Sequence, residues 1–98
     1  MEWETKNVNL GTVEESSAHT IEFKAIGDLK LSIKNIHLSC GCLKASVKED
    51  KIKVKFKVGV FPKHLENEQV YSTTRTITIT YKNNTKDFLV VQALIKRK

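Results

Sequence analysis

Lys51-Ile52-Lys53-Val54-Lys55-Phe56-Lys57-Val58 decides the fold class. Four apolar residues alternate with four lysines, a period of two that gives a strand one buried face and one wet face. Wound into a helix, the same residues would scatter their apolar groups around the whole cylinder. Downstream, Thr74 to Tyr81 repeats the period, with Arg75, Ile77, Ile79 and Tyr81 set against Thr74, Thr76, Thr78 and Thr80. Its β-branched residues suit a pleated, half-buried surface. Upstream, Ile21, Phe23 and Ala25 alternate with Glu22 and Lys24, and Leu29, Leu31 and Ile33 follow in the same manner. Ile36, Leu38 and Cys40 then continue out of phase, and the slip between Ile33 and Ile36 predicts a bulge. Phe88 to Ile95 is apolar on both faces and predicts a strand covered on both sides, while Trp3 to Leu10 is a weaker first strand.

Turn chemistry separates these runs. Gly11 is expected to close the first strand, Gly27-Asp28 the second, Lys48-Glu49-Asp50 to precede the lysine ladder, and Lys82 to Lys86 to form a hairpin loop where asparagine accepts positive φ. Residues 59–72 show no clean period and read as the crossover that a sandwich of two sheets requires. With no helical pattern, the chain predicts an all-β, immunoglobulin-like sandwich of about seven antiparallel strands, one domain over residues 1–98. The expected core is Ile21, Phe23, Leu31, Ile33, Ile52, Val54, Phe56, Ile77, Ile79, Phe88 and Val90.

The 98 residues bury roughly two-thirds of their unfolded surface, enough for one modest core. No apolar stretch approaches the ~20 residues that span a bilayer, so no membrane partner is expected. Met1 leads straight into Glu-Trp-Glu, without the basic and apolar regions of a signal peptide, and the expected setting is cytoplasmic or a virion. Net charge is +6, and it is uneven: residues 1–22 hold five acids and one lysine, while the remainder holds sixteen bases and six acids. That split predicts an acidic end and a basic body. Fifteen of the seventeen bases are lysine, whereas base reading and phosphate gripping favour the planar fork of arginine.

The order of several short motifs carries a resemblance. Asn9-Leu10-Gly11-Thr12-Val13-Glu14-Glu15 is followed by Ile21-Glu22-Phe23-Lys24, Gly27-Asp28, Leu29 to Ile36, Ser39-Cys40-Gly41-Cys42 and Thr76-Ile77-Thr78-Ile79. From about Asn9 to Leu94 this resembles the bacterial domain family of unknown function that carries an S-C-G-C signature, related to the Hydin-type (ASH-like) immunoglobulin domains. The resemblance implies an immunoglobulin-like sandwich and no enzyme activity.

Cys40-Gly41-Cys42 is the sharpest chemical feature. Three readings stay open: thiols packed as small apolar groups at a strand end, a labile disulfide across one residue, or half of a metal site with His37 and a fourth ligand from His19 or His64. Packing is the favoured one, so no metal and no cofactor are expected. No serine sits in a glycine-flanked elbow, and there is no phosphate loop or His-Glu-x-x-His, so no catalytic residue is expected. Lys51, Lys53, Lys55 and Lys57 read as the guard of an edge strand, and together with Val60 and Phe61 they are the candidate partner-binding surface. Nucleic acid is disfavoured, because aromatic stacking platforms are missing and Phe56 lies on the opposite face. The function expected is a non-enzymatic structural module that binds other protein subunits, in many copies, as an auxiliary or decoration protein on a bacteriophage capsid lattice. The alternatives are a cytosolic bacterial adaptor of the Hydin-like family and a non-specific nucleic-acid binder.

Overall fold

Alternation becomes two packed sheets. The computed structural model describes residues 2–27, 29–60, 64 and 69–97, except the side chains of Lys30 and Leu31. Its strands are β1 (Glu2–Trp3), β2 (Asn7–Glu14), β3 (Ala18–Ile26), β4 (Ile33–Leu38), β5 (Leu43–Lys48), β6 (Lys51–Lys57), β7 (Val70–Tyr81) and β8 (Lys86–Lys96). A four-residue helical turn, α1 (Leu29–Ser32), precedes β4. One sheet has the order β1-β3-β6-β5 and the other β2-β8-β7-β4. We call them the lysine sheet and the threonine sheet, after the residues on their outer faces.

The chain is thus an all-β, immunoglobulin-like sandwich, with eight strands among the described residues where about seven were expected. One pairing departs from the antiparallel expectation: β2 runs parallel to β8, with Asn7 beside Val90 and Val13 beside Ile95. Twelve residues of β7 at about 3.3 Å each span roughly 40 Å, which accounts for a body 47 × 19 × 16 Å in extent.

The core lies between the sheets. Ile52, Val54 and Phe56 of β6 meet Ile21, Phe23 and Ala25 of β3 on the inner face, and Ile77 and Ile79 of β7 cover them from the other sheet. Burying a side chain of this size is worth about 1.5–3 kcal/mol, so the period-two core dominates the stability.

Phe88 and Val90 belong to the expected core but lie outside it. Phe88 is 55% exposed and Val90 half-buried, while Leu89, Val91, Ala93 and Ile95 take the inner face. Both phases of β8 are apolar, so composition does not choose between them. The hairpin register does, because Ile77 stands opposite Leu89 and Thr78 opposite Phe88, and residues directly opposite share a face. Ile33 is only half-buried, and the side chain of Leu31 lies outside the described residues. The strand expected from Leu29 starts instead at Ile33, because α1 turns Leu29 fully into the core.

The slip in β4 is present as a register shift against β7 between Ile33 and Asn35. Gly11 does not end a strand. It sits inside β2 at φ +73° within a second register shift, its amide donating to Asn9 Oδ1 at 2.8 Å. At the far hairpin Asn84 takes φ +67°, and Asn83 Oδ1 accepts from the Thr85 amide at 3.1 Å.

Candidate functional site

The lysine ladder is not an edge. β6 lies between β3 and β5 and pairs antiparallel with both, because each neighbour offers an alternating inner face to match Ile52, Val54 and Phe56. Guarding an edge therefore does not explain these lysines.

Their pairing defines a charged surface. Lys51 stands between Lys24 of β3 and Lys48 of β5, so three lysines lie side by side on adjacent strands. Lys55 stands between Thr20 and Lys44, Lys53 between Glu22 and Ser46, and Lys57 beside Ala18. Strands are about 4.8 Å apart, and like charges directly opposite destabilise a sheet by about 0.2–1 kcal/mol per pair. Glu22 is the one acid that these strands turn outward, and its carboxylate reaches Lys51 and Lys53 only at 3.9 Å each. Glu49 and Asp50 lie in the β5–β6 turn at one end.

The acids of residues 1–22 do not gather into one end. Glu2 pairs with Ile26 at the finish of β3, the Glu15 amide bonds to Lys96 O near its start, and Glu22 sits in the middle of the basic face. Charge is instead divided across the sandwich. In the middle of the threonine sheet, Thr74, Thr76 and Thr78 stand opposite Gln92, Val90 and Phe88, without formal charge, and charge returns only at its ends, with Lys86 opposite Thr80 and Lys96 beside Glu14. Val60, expected to supply an apolar contact, is 73% exposed just beyond β6. Phe61 lies outside the described residues.

Cys40 and Cys42 form a disulfide within the crossover from β4 to β5. Of the three readings open in the sequence, the disulfide is therefore the one observed, and packed free thiols are not. A ring closed over three residues yields only about 1.6 kcal/mol by loop-closure entropy, and it staples no two elements together. Both thiols are occupied, and among the described residues no group of three His, Cys, Asp or Glu side chains could hold a metal. Beside the disulfide, Cys42, Gly41, Ala18, Val58 and Gly59 line an open cleft of about 410 Å3 together with Lys44, Lys55 and Lys57.

A polar cluster that the sequence reading missed bridges the sheets at the opposite end. Trp3 Nε1 donates to Tyr81 Oη at 3.1 Å and Asp87 Oδ2 at 3.2 Å, Tyr81 Oη donates to Asp87 Oδ2 at 2.6 Å, and Lys6 Nζ binds Asp87 Oδ1 at 2.8 Å. Burial first, then the bond to Asp87, pushes the Tyr81 hydroxyl well above its ordinary range. Burial alone would raise Asp87, but bonds from Lys6, Tyr81 and Trp3 outweigh it and hold its carboxyl below the usual value. Tyr81 and Asp87 meet across the β7–β8 hairpin, six positions apart, but Trp3 and Lys6 reach them from 78 to 84 positions away, so no local motif announces the cluster. With the carboxylate held ionised and the phenol neutral, the cluster is a lock between sheets. Ser17 Oγ lies 2.9 Å from His19 Nε2 but also bonds to Glu14 O, which makes it the cap of the β2–β3 turn.

Several solved structures share the fold. The GH5 xyloglucanase of Bacteroides ovatus superposes with a TM-score of 0.53 at 18% identity, over 94% of this chain and 18% of its own. A 2,6-sialyltransferase of a Photobacterium species gives 0.54 at 9% identity, over 95% of this chain and 18% of its own. A variant of the SrpA adhesin of Streptococcus sanguinis gives 0.50 at 17% identity, over 90% of this chain and 54% of its own. The chain thus spans about a fifth of the two enzymes and about half of the adhesin, and at these identities the likeness is one of fold. No curated protein matches the sequence. The family model described as protein of unknown function DUF1573 matches residues 1–95, over both sheets and the Cys-Gly-Cys crossover, and the chain belongs to that family.

Proposed function

We propose that this chain is a non-enzymatic protein-binding module that docks through the outer face of the lysine sheet onto an acidic protein surface. The observation that carries the reading is the row Lys24–Lys51–Lys48 on three adjacent strands. A sheet that keeps like charges side by side gives up stability, and an array of carboxylates from a partner would restore it. The outward residues of β3, β5 and β6 include neither arginine nor an aromatic ring, which favours protein carboxylates over bases or phosphates. Val60, at the rim of this face, adds an apolar contact.

In its most concrete form, the module is an auxiliary protein of a bacteriophage virion, present in many copies on a capsid lattice. A cytosolic adaptor related to the Hydin-type domains would use the same face. The test is incorporation of a charge-reversed variant, Lys24→Glu/Lys48→Glu/Lys51→Glu, followed by mass spectrometry of purified particles. Wild type is expected in particles and the variant absent. Equal incorporation of both overturns the docking face. Absence of wild type from particles, with carbodiimide cross-links from these lysines to a soluble acidic protein, replaces the virion with the adaptor. A gel shift showing tight, sequence-dependent DNA binding at physiological salt overturns the protein-binding reading itself.

A further inference from the structure

The Cys40–Cys42 bond joins residues of a single crossover and braces no pair of strands. Both cysteines are half-buried, but Cys42 lines an open cleft, and disulfides that a thiol can reach are the exchangeable ones. We propose that it is a thiol–disulfide exchange site whose substrate is a small, carboxylate-bearing thiol of the glutathione class. This inference stands apart from the docking reading, because it concerns the cleft at one end of the lysine sheet and not a macromolecular partner.

Geometry gives the two sulfurs different roles. Cys42 lines the cleft. Cys40 Sγ accepts a hydrogen bond from the Cys42 amide at 3.1 Å, and a donor aimed at a sulfur stabilises its thiolate. An incoming thiolate therefore attacks Cys42 Sγ. The new bond forms between its sulfur and Cys42, the Cys40–Cys42 bond breaks, and the electron pair leaves on Cys40 Sγ, held by that amide. A second thiolate of the same class attacks the substrate sulfur of the mixed disulfide and releases Cys42 as thiolate. Two substrate thiols become one substrate disulfide, and the protein gains two electrons and, from water, two protons. The oxidised substrate runs the same steps in reverse.

The cleft also states the substrate's chemistry. Its volume of about 410 Å3 lies in the range of small-molecule sites. Lys44, Lys55 and Lys57 make it cationic, and they favour both an anionic substrate and the thiolates that exchange produces. A Cβ built on Gly41 or Gly59 meets nothing within 4 Å, so the approach is open from both backbone walls.

The experiment measures reduction of the disulfide in the full chain by glutathione and by cysteamine, a cationic thiol, at equal thiolate concentration. Wild type is expected to react with glutathione at least tenfold faster, and Lys44→Gln/Lys55→Gln/Lys57→Gln to erase that preference. These three are exposed side chains, so the variant keeps its fold. A second arm mixes oxidised glutathione with Cys40→Ser and with Cys42→Ser. Mass spectrometry should show the mixed disulfide forming at least tenfold faster on Cys42 of the first variant than on Cys40 of the second. A wild-type disulfide that resists millimolar glutathione, a preference unchanged by the lysine substitutions, or equal capture by both cysteines overturns the proposal.

Discussion

The outer faces of the two sheets are built from the same alternation and differ in what they leave to solvent. On the lysine sheet, β6 turns out Lys51, Lys53, Lys55 and Lys57, and its neighbours add Lys24, Lys44 and Lys48. On the threonine sheet, the middle of β7 and β8 turns out Thr74, Thr76 and Thr78 with Phe88, Val90 and Gln92, and lysines stand only at the two ends of β8, Lys86 opposite Thr80 and Lys96 opposite Val70. Threonine pairs and apolar pairs across strands stabilise a sheet, and lysine pairs do the reverse. One face is what folding alone would select. The other carries a cost that a partner offsets, and this asymmetry is the basis of the functional reading.

The comparison can be broken first in β8, where the effect is largest. Leu89→Ala is expected to cost about 3 kcal/mol, since it empties a fully buried site. Phe88→Ala, on the outer face, should cost less than about 1 kcal/mol despite removing a larger side chain. Denaturant melts of both variants check this, and a larger loss for Phe88 would mean that the register of the β7–β8 hairpin is wrong.

Next in size is the lock that ties the faces together. Asp87→Ala removes the acceptor of Trp3, Tyr81 and Lys6, and is expected to cost about 2 kcal/mol. Because the folded carboxyl titrates below its ordinary value of 3.8, its stabilisation is complete above that pH and is lost as pH falls through the lowered folded value. Tyr81 works in the other direction. Its hydroxyl is raised above its ordinary value of 10.0, so its contribution is complete below that pH and is lost as pH rises through the raised folded value. Melting temperature as a function of pH should decline at the acid end for wild type, with a shallower decline for Asp87→Asn.

The smallest effect compares the faces directly. Lys44→Gln relieves its contact with Lys55, and at low salt should stabilise by about 0.3 kcal/mol. At 0.15 M salt, where screening acts over about 8 Å, the gain should shrink. Thr76→Gln on the other face should give no gain at either salt. A lysine substitution that destabilises at low salt would show that the basic face carries no electrostatic cost.

The sandwich was legible because Ile52, Val54 and Phe56, and likewise Ile21, Phe23 and Ala25, leave only one face to bury. The bulge after Ile33 was legible for the same reason, as a break in phase. The inner face of β8 was not, since Leu89 and Phe88 are equally apolar and only pairing with β7 chooses between them. Strand order was also out of reach: the alternation of β6 is the same whether it lies at an edge or between β3 and β5. The lysines were therefore visible one strand at a time, and the three-strand row was not. The meeting of Trp3 with Tyr81 and Asp87 gives no local signal, because it depends on β1 closing one end of the body over the β7–β8 hairpin.

The central claim is that the lysine face takes an acidic protein partner and the threonine face does not. Amide chemical-shift mapping of the isotope-labelled chain against a polyglutamate probe at low ionic strength tests it most directly. The account predicts shifts confined to β3, β5 and β6, centred on Lys24, Lys48 and Lys51, and their disappearance in the Lys24→Glu/Lys48→Glu/Lys51→Glu variant. Shifts of equal size along Thr74 to Thr78 and Phe88 to Gln92, or no response on either face, would contradict it.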